Sequence, residues 1–309
     1  MPETYGDNNR LSESTHSAST SNDENQTPDH KSSEILEYGD IFFFYRPKVG
    51  ADQVRGIDDV RRFFMITATE SRKPGSGVQE KEKQFENSST SADVGKSNMS
   101  TWYRLFTIGK KSLPEVRRTE ARRSERYWAK IGGIFRDSRE LTNELLSSEF
   151  REGVSARPVG EGKYAIVNHE NHAELAYILE MPKDPGGAQQ ELGIEKEASY
   201  IVSVINPKVP VPQGYPSTEQ PPEYPQFILD SLGQAENFIP LSKDIRLIDF
   251  LNAQVILIGA REGKDVLKKE IGIDIKDEEE SERTSDIFSK LQIERNRTPI
   301  KPLIEGKFE

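Results

Sequence analysis

Short runs of apolar residues, each bounded by turn-forming residues, mark the core elements of this chain. The run IFFFY at 41–45 is continuously apolar and, at five residues, is too short for a helix. Such a run predicts a strand that is buried on both faces. The same argument predicts strands at 63–66, 200–205 and 255–258, and a more mixed strand with interspersed polar residues is predicted at 102–108.

Two β-prone runs around a short polar segment predict a hairpin. The runs at 164–167 and 173–179 flank the polar residues 168–172, and such residues are favoured in turns. A helix over the second run is the alternative, because Ala, Glu and Leu favour helices. Tyr177 and Ile178, with Pro182 close behind, favour the strand.

Helical spacing is confined to a few segments. Ser138 is a candidate N-cap for a helix over 139–150, and Ser242 for one over 243–252. Strands and helices do not alternate as they do in βαβ units, and no repeat of roughly 20–50 residues is present. The sequence therefore predicts an α+β fold, with a mostly antiparallel mixed sheet of about six to eight strands and a few packed helices.

Polar, low-complexity segments suggest where the folded domain begins and ends. Residues 1–34 are predicted to be a disordered N-terminal tail, 73–100 a disordered insertion, and 263–309 a mostly disordered acidic C-terminal tail. Chains of this composition bury too little apolar surface to offset their conformational entropy. The remaining range, 35–262, is predicted to be a single α+β globular domain.

Composition excludes several classes of site. The chain has no cysteine, which excludes disulfides, thiolate zinc sites and a cysteine nucleophile. No cofactor is predicted. There is no apolar run of about eighteen residues and no secretory signal, so no membrane association is expected. Ser/Thr/Asn-rich tails and a polar insertion are commonest in eukaryotic proteins, so the predicted location is the cytoplasm or nucleus.

His169 and His172 form a candidate metal site. The two imidazoles lie three residues apart with Glu170 between them, and imidazole is a common ligand of divalent metals. The spacing differs from the helical HExxH motif of metalloproteases, and a solvated hairpin turn also explains the segment. A metal-dependent hydrolase that uses these histidines is one alternative function.

A basic stretch from Arg104 to Lys130 is a candidate binding site for nucleic acid or phosphate. It carries nine cations and three anions within a chain of net charge −10. Guanidinium groups near aromatic rings suit phosphates and unstacked bases, although interspersed Glu and Arg is also typical of a solvated helix. The residues predicted to bind are Arg117, Arg118, Arg122, Arg123, Arg126 and Trp128.

Catalytic motifs give no assignment. The pattern G-x-G-x-x-A at 160–165 precedes a predicted strand, whereas a dinucleotide loop must follow a strand and open a helix. The sequence does not identify the function. The interpretation that remains is a non-catalytic binding or regulatory protein with protein partners, rather than an enzyme. The metal-dependent hydrolase and the nucleic-acid or phosphate binder are its alternatives.

Overall fold

A computed structural model describes residues 34–51, 53–72, 101–116, 125–147, 154–169, 171–218, 220–234, 236–262, 285–294 and 298–308. The predicted insertion at 73–100 and residues 1–33 of the predicted N-terminal tail lie outside the described residues.

Nine strands form most of the regular secondary structure of the described residues. They are β1 (Glu34–Pro47), β2 (Val60–Arg72), β3 (Trp102–Ile108), β4 (Arg126–Phe135), β5 (Arg157–His169), β6 (His172–Met181), β7 (Glu197–Ile205), β8 (Phe238–Pro240) and β9 (Gln254–Glu262). Every apolar run predicted to be a strand lies within one of them. The hairpin prediction is also confirmed, because β5 and β6 pair up to His169 opposite His172.

The described helices are short. They are α1 (Ser138–Leu146), α2 (Gly187–Leu192), α3 (Gln226–Ser231), α4 (Asp286–Ser289) and α5 (Lys301–Glu305), with 3-10 turns at Ile57–Asp59 and Ile245–Ile248. Among them, none has the length and apolar character needed to cross a bilayer. The helix predicted at 139–150 is α1, whereas only a 3-10 turn forms within the helix predicted at 243–252.

Eight of the strands close on themselves. The neighbours run in the order β1, β2, β3, β4, β9, β7, β6, β5, and β5 returns to pair with β1. Every pairing is antiparallel, and β8 adds to β7 as an extra strand. The predicted α+β fold, with a mostly antiparallel mixed sheet and a few packed helices, is therefore wrong, because the described residues form a closed antiparallel barrel with a few short helices.

The side chains of β1 alternate between the interior of the barrel and its outer surface. Ile41, Phe43 and Tyr45 belong to the main interior cluster. Phe42 and Phe44 point the other way and belong to a second cluster outside the barrel. The prediction that this strand is buried on both faces is confirmed, since each of these side chains is fully buried.

The second cluster is covered by α1 and by residues near the C-terminus. We call residues 285–294 and 298–308 the C-terminal strap. Its residues Ile287, Leu291 and Leu303 are fully buried in the second cluster. The described part of the predicted acidic tail at 263–309 thus packs on the barrel.

One end of the barrel is closed by the connection between β7 and β9. Leu247 and Ile248 of this connection are buried in the interior cluster. Asp249 follows them and bonds to Arg72 and Arg104, which come from β2 and β3. The connection is therefore tied to the barrel by both apolar packing and charge.

Candidate functional site

A groove lies on the outer surface of β2, β3 and β4, where the C-terminal strap does not cover them. Its floor includes Phe64 and Thr107, and it reaches Glu144 of α1 on one side and residues 216–218 on the other. Gln254 Nε2 donates to the Pro216 carbonyl at 2.6 Å, which holds that loop against β9. The groove encloses about 760 Å³.

Strand register aligns the first row of the groove floor. Phe63 pairs with Ile108, so Arg62 lies opposite Gly109. The Gly109 amide in turn donates to the Trp128 carbonyl at 2.8 Å. Arg62 and Trp128 therefore lie on either side of Gly109 across three neighbouring strands.

The second row lies two residues further along the same strands. Phe64 pairs with Thr107, Thr107 with Lys130, and Lys130 with Gln254. Residues two apart on a strand share a face. Lys130 therefore follows Trp128 along β4 on the groove side.

Charge distinguishes this groove from the rest of the molecule. Its lining contains five cationic side chains and one carboxylate, in a chain of net charge −10. A concave surface lined by one sign of charge concentrates counter-ions of the other sign. The groove is thus suited to an anionic ligand. The cations are Arg46, Arg61, Arg62, Lys111 and Lys130, and the carboxylate belongs to Glu144.

Backbone carbonyls position two of the cations. Arg46 Nη2 donates to the carbonyls of Glu144 and Leu145, at 3.0 and 3.2 Å, and its guanidinium lies 5.5 Å from the centroid of the Phe64 ring. Lys111 Nζ donates to the Ile57 carbonyl at 3.2 Å. These bonds to backbone carbonyls hold the two side chains in place at the groove.

The indole of Trp128 is held flat against a glycine. A Cβ atom placed on Gly109 would lie 2.1 Å from the Trp128 ring. The ring therefore occupies the space that the side chain of any other residue at position 109 would need. The side chain is half-buried and lines the groove. The groove therefore combines an aromatic ring packed on a glycine with cations that lie near it.

The predicted basic stretch divides among different parts of the molecule. Arg104 is fully buried inside the barrel, Arg126 is exposed at the start of β4, and Lys130 and Trp128 line the groove. Arg126 is the first residue of a strand and so is not part of a solvated helix. The other predicted binding residues, Arg117, Arg118, Arg122 and Arg123, lie outside the described residues.

The predicted metal ligands meet at the β5–β6 turn. The rings of His169 and His172 lie with centroids 5.3 Å apart and nearly parallel. His172 Nε2 is 2.9 Å from Glu174 Oε1, and Ser199 Oγ donates to the other carboxylate oxygen at 3.0 Å. The carboxylate thus separates the imidazole from the hydroxyl, whereas a histidine that activates a serine must contact it.

No set of three or more His, Asp or Glu side chains arranged to hold a metal occurs in the part of the chain that the structure describes. The role of His169 and His172 as metal ligands stays a prediction.

A buried charged cluster is the feature that the sequence interpretation missed. Arg104 donates from Nη1 and Nη2 to the two carboxylate oxygens of Glu37, at 2.6 and 2.8 Å, and from Nε to Asp249 at 2.8 Å. Burial favours the neutral acid, but the charge and hydrogen bonds of Arg104, with the charge of Arg72, lower the pKa of Glu37 to about 2. The sequence feature that indicates this cluster is the alternation of side chains along β3. Phe106 and Ile108 face the interior, and Arg104 faces the same way because residues two apart on a strand share a face.

Comparisons with known proteins add no assignment to this geometry. No protein-family model, curated protein or solved structure matches the chain.

Proposed function

We propose that this protein is a non-catalytic binding protein whose basic groove binds a phosphate-bearing ligand. The observation that carries the proposal is the excess of five cations over one carboxylate in a groove on an acidic molecule. Arginine and lysine are the side chains that proteins use to bind phosphate oxygens.

The rigidity of the groove supports a binding role. Its floor is part of the closed barrel, and its walls are fixed by the Arg46 bonds to α1 and the Gln254 bond to the loop at Pro216. A ligand that enters a preformed site loses less free energy to the ordering of side chains and loops. The floor and walls of the groove are thus in place before the ligand arrives.

Titration with a labelled phosphate backbone tests the proposal. The probe is a fluorescein-labelled oligomer of ten abasic deoxyribose phosphates, and fluorescence anisotropy gives its Kd at several salt concentrations. Each phosphate that a protein cation neutralises on a single strand contributes about −0.7 to the slope of log K against log salt. We expect a slope between about −2 and −3.5 for three to five contacts, and a slope smaller in magnitude by at least about 1.4 in the Arg62→Glu/Lys130→Glu variant.

The control must carry the same change in net charge away from the groove. Arg139→Glu/Lys243→Glu has the same residue types and charge, and both side chains are exposed on other parts of the surface. We expect it to retain the wild-type slope. Absence of binding by the wild-type protein, or an equal loss in both double variants, would contradict the proposal.

A further inference from the structure

Resting on the proposed function, we infer that the phosphate-bearing ligand is single-stranded nucleic acid, with a base stacked on Trp128 and the adjacent phosphates on the flanking cations. The inference depends on where the aromatic ring lies relative to the charges. An indole among cations provides for both parts of a nucleotide, whereas a simple phosphate needs the cations alone.

Strand geometry gives the spacing between the ring and its cations. Arg62 and Trp128 lie two strands apart in one row, which separates their Cα atoms by about 10 Å. Lys130 lies two residues beyond Trp128 on the same face of β4, about 7 Å away. A backbone that passes over the groove would meet Lys130 along the strand from the ring and Arg62 across the sheet from it.

The indole is ready to stack because one of its faces is already occupied. The ring lies against Gly109, where an added Cβ would come within 2.1 Å of it. This contact fixes the ring orientation before any ligand binds. A preordered ring loses little conformational entropy when a base stacks on it.

Neutral polar side chains complete the groove. Thr107 and Asn252 line it together with the cations, and amide side chains can bond to the edges of bases. Those edges and faces are accessible in a single strand, whereas a duplex holds its bases stacked inside. The chemistry of the lining therefore favours an unpaired strand over a duplex.

The experiment compares two labelled oligomers of equal length and charge, decathymidylate and the abasic ten-mer, by anisotropy on the full-length protein. Stacking of one base strengthens binding about 5- to 150-fold, so we expect decathymidylate to bind tighter than the abasic oligomer by at least about fivefold. Trp128→Leu is expected to remove that difference and leave the abasic Kd unchanged. Trp128→Phe, which retains an aromatic ring over Gly109, is expected to retain most of it.

Indole fluorescence supplies an independent signal. The chain has two tryptophans, so the Trp102→Phe variant reports on Trp128 alone. We expect decathymidylate to quench that emission and the abasic oligomer to leave it unchanged.

The outcomes separate this inference from the proposed function. Equal Kd values for the two oligomers would overturn the inference while the groove remained a phosphate site. Failure of both oligomers to bind would overturn the proposed function itself. A serine-phosphorylated peptide of equal charge that bound more tightly than decathymidylate would assign the groove to a protein partner and overturn the inference.

Discussion

At the scale of single residues, the barrel contains a largely buried network of charges. Arg104 is fully buried and bonds to Glu37 and Asp249. Arg72 lies at the partly exposed edge of the network and bonds to the same two carboxylates. Such a network contributes little net stability compared with apolar residues of the same volume, because desolvation of the charges is costly. Removal of one partner is nonetheless strongly destabilising, because the remaining charge is left buried and unpaired.

We expect Glu37 to make the protein sensitive to acid. Its pKa is lowered from 4.5 to about 2 in the folded protein, so its contribution to stability is present above pH 4.5 and is lost as the pH falls toward 2. A shift of this size corresponds to roughly 3 kcal/mol of unfolding free energy. Urea unfolding of the wild type and of Glu37→Gln between pH 2 and pH 6 measures it.

The variant should be less stable than the wild type at pH 6, and its unfolding free energy should fall less steeply toward pH 2. Glu140→Gln, which changes an exposed side chain of α1, should follow the wild-type curve. A Glu37→Gln curve parallel to that of the wild type would show that this carboxyl does not titrate with unfolding.

At the scale of elements, glycines allow the strands to bend enough to close the barrel. The register of β5 against β6 shifts between Glu161 and Gly162. A Cβ on Gly162 would lie 2.0 Å from the Ile178 carbonyl oxygen. Irregular positions of this kind increase local bending and twist, which a closed sheet requires. The glycines in the G-x-G-x-x-A pattern thus lie within a strand, one of them at a bulge.

Gly162→Ala is expected to be destabilising because the new methyl group would clash with the Ile178 backbone, which is held in place by the pairing of β5 with β6. Overpacking of this kind costs about 1–3 kcal/mol or more. The matched control is Gly187→Ala at the start of α2, where an added Cβ meets nothing within 4 Å; there alanine should be neutral or stabilising by up to about 1 kcal/mol. Thermal unfolding of both variants measures the difference, and equal Tm values would contradict the role of Gly162 in closure.

The strands could be predicted from the sequence because each depends on a local pattern. Runs such as 41–45 are apolar on both faces, since residues from α1 and the C-terminal strap cover the outside of the barrel. Closure could not be predicted in the same way. It depends on the pairing of β5 with β1 and of β6 with β7, and no local pattern specifies the partner of a strand.

The groove was only partly predictable for a related reason. Trp128 was singled out for its place in a basic stretch, and it does line the groove. Arg62 and Gln254, however, come from distant segments and join Trp128 and Lys130 only through strand register. The strand β4 was missed because Gly132 and Gly133 interrupt its apolar pattern and its first residues read as part of a basic helix.

At the scale of the whole molecule, the C-terminal strap holds together elements that are far apart in sequence. Lys290 of the strap bonds to Asp40 of β1 at 2.5 Å, and Thr142 of α1 donates to the Leu291 carbonyl at 2.6 Å. Further along, the Ala188 amide of α2 donates to the Gly306 carbonyl at 3.0 Å. The strap thus links β1, α1 and α2 to one another.

We therefore expect the strap to contribute to the global stability of the barrel. Leu291 is fully buried in the outer cluster, and Leu→Ala at such a site costs about 2–5 kcal/mol. Leu251→Ala makes the same change at a side chain that is 52% exposed, so its effect should be within about 0.5 kcal/mol. Urea unfolding of the two variants tests whether the strap is part of the folded unit. If the C-terminal strap were a tail without a stable place on the barrel, neither substitution would change the free energy of unfolding. If the strap is part of the folded unit, only Leu291→Ala lowers the midpoint.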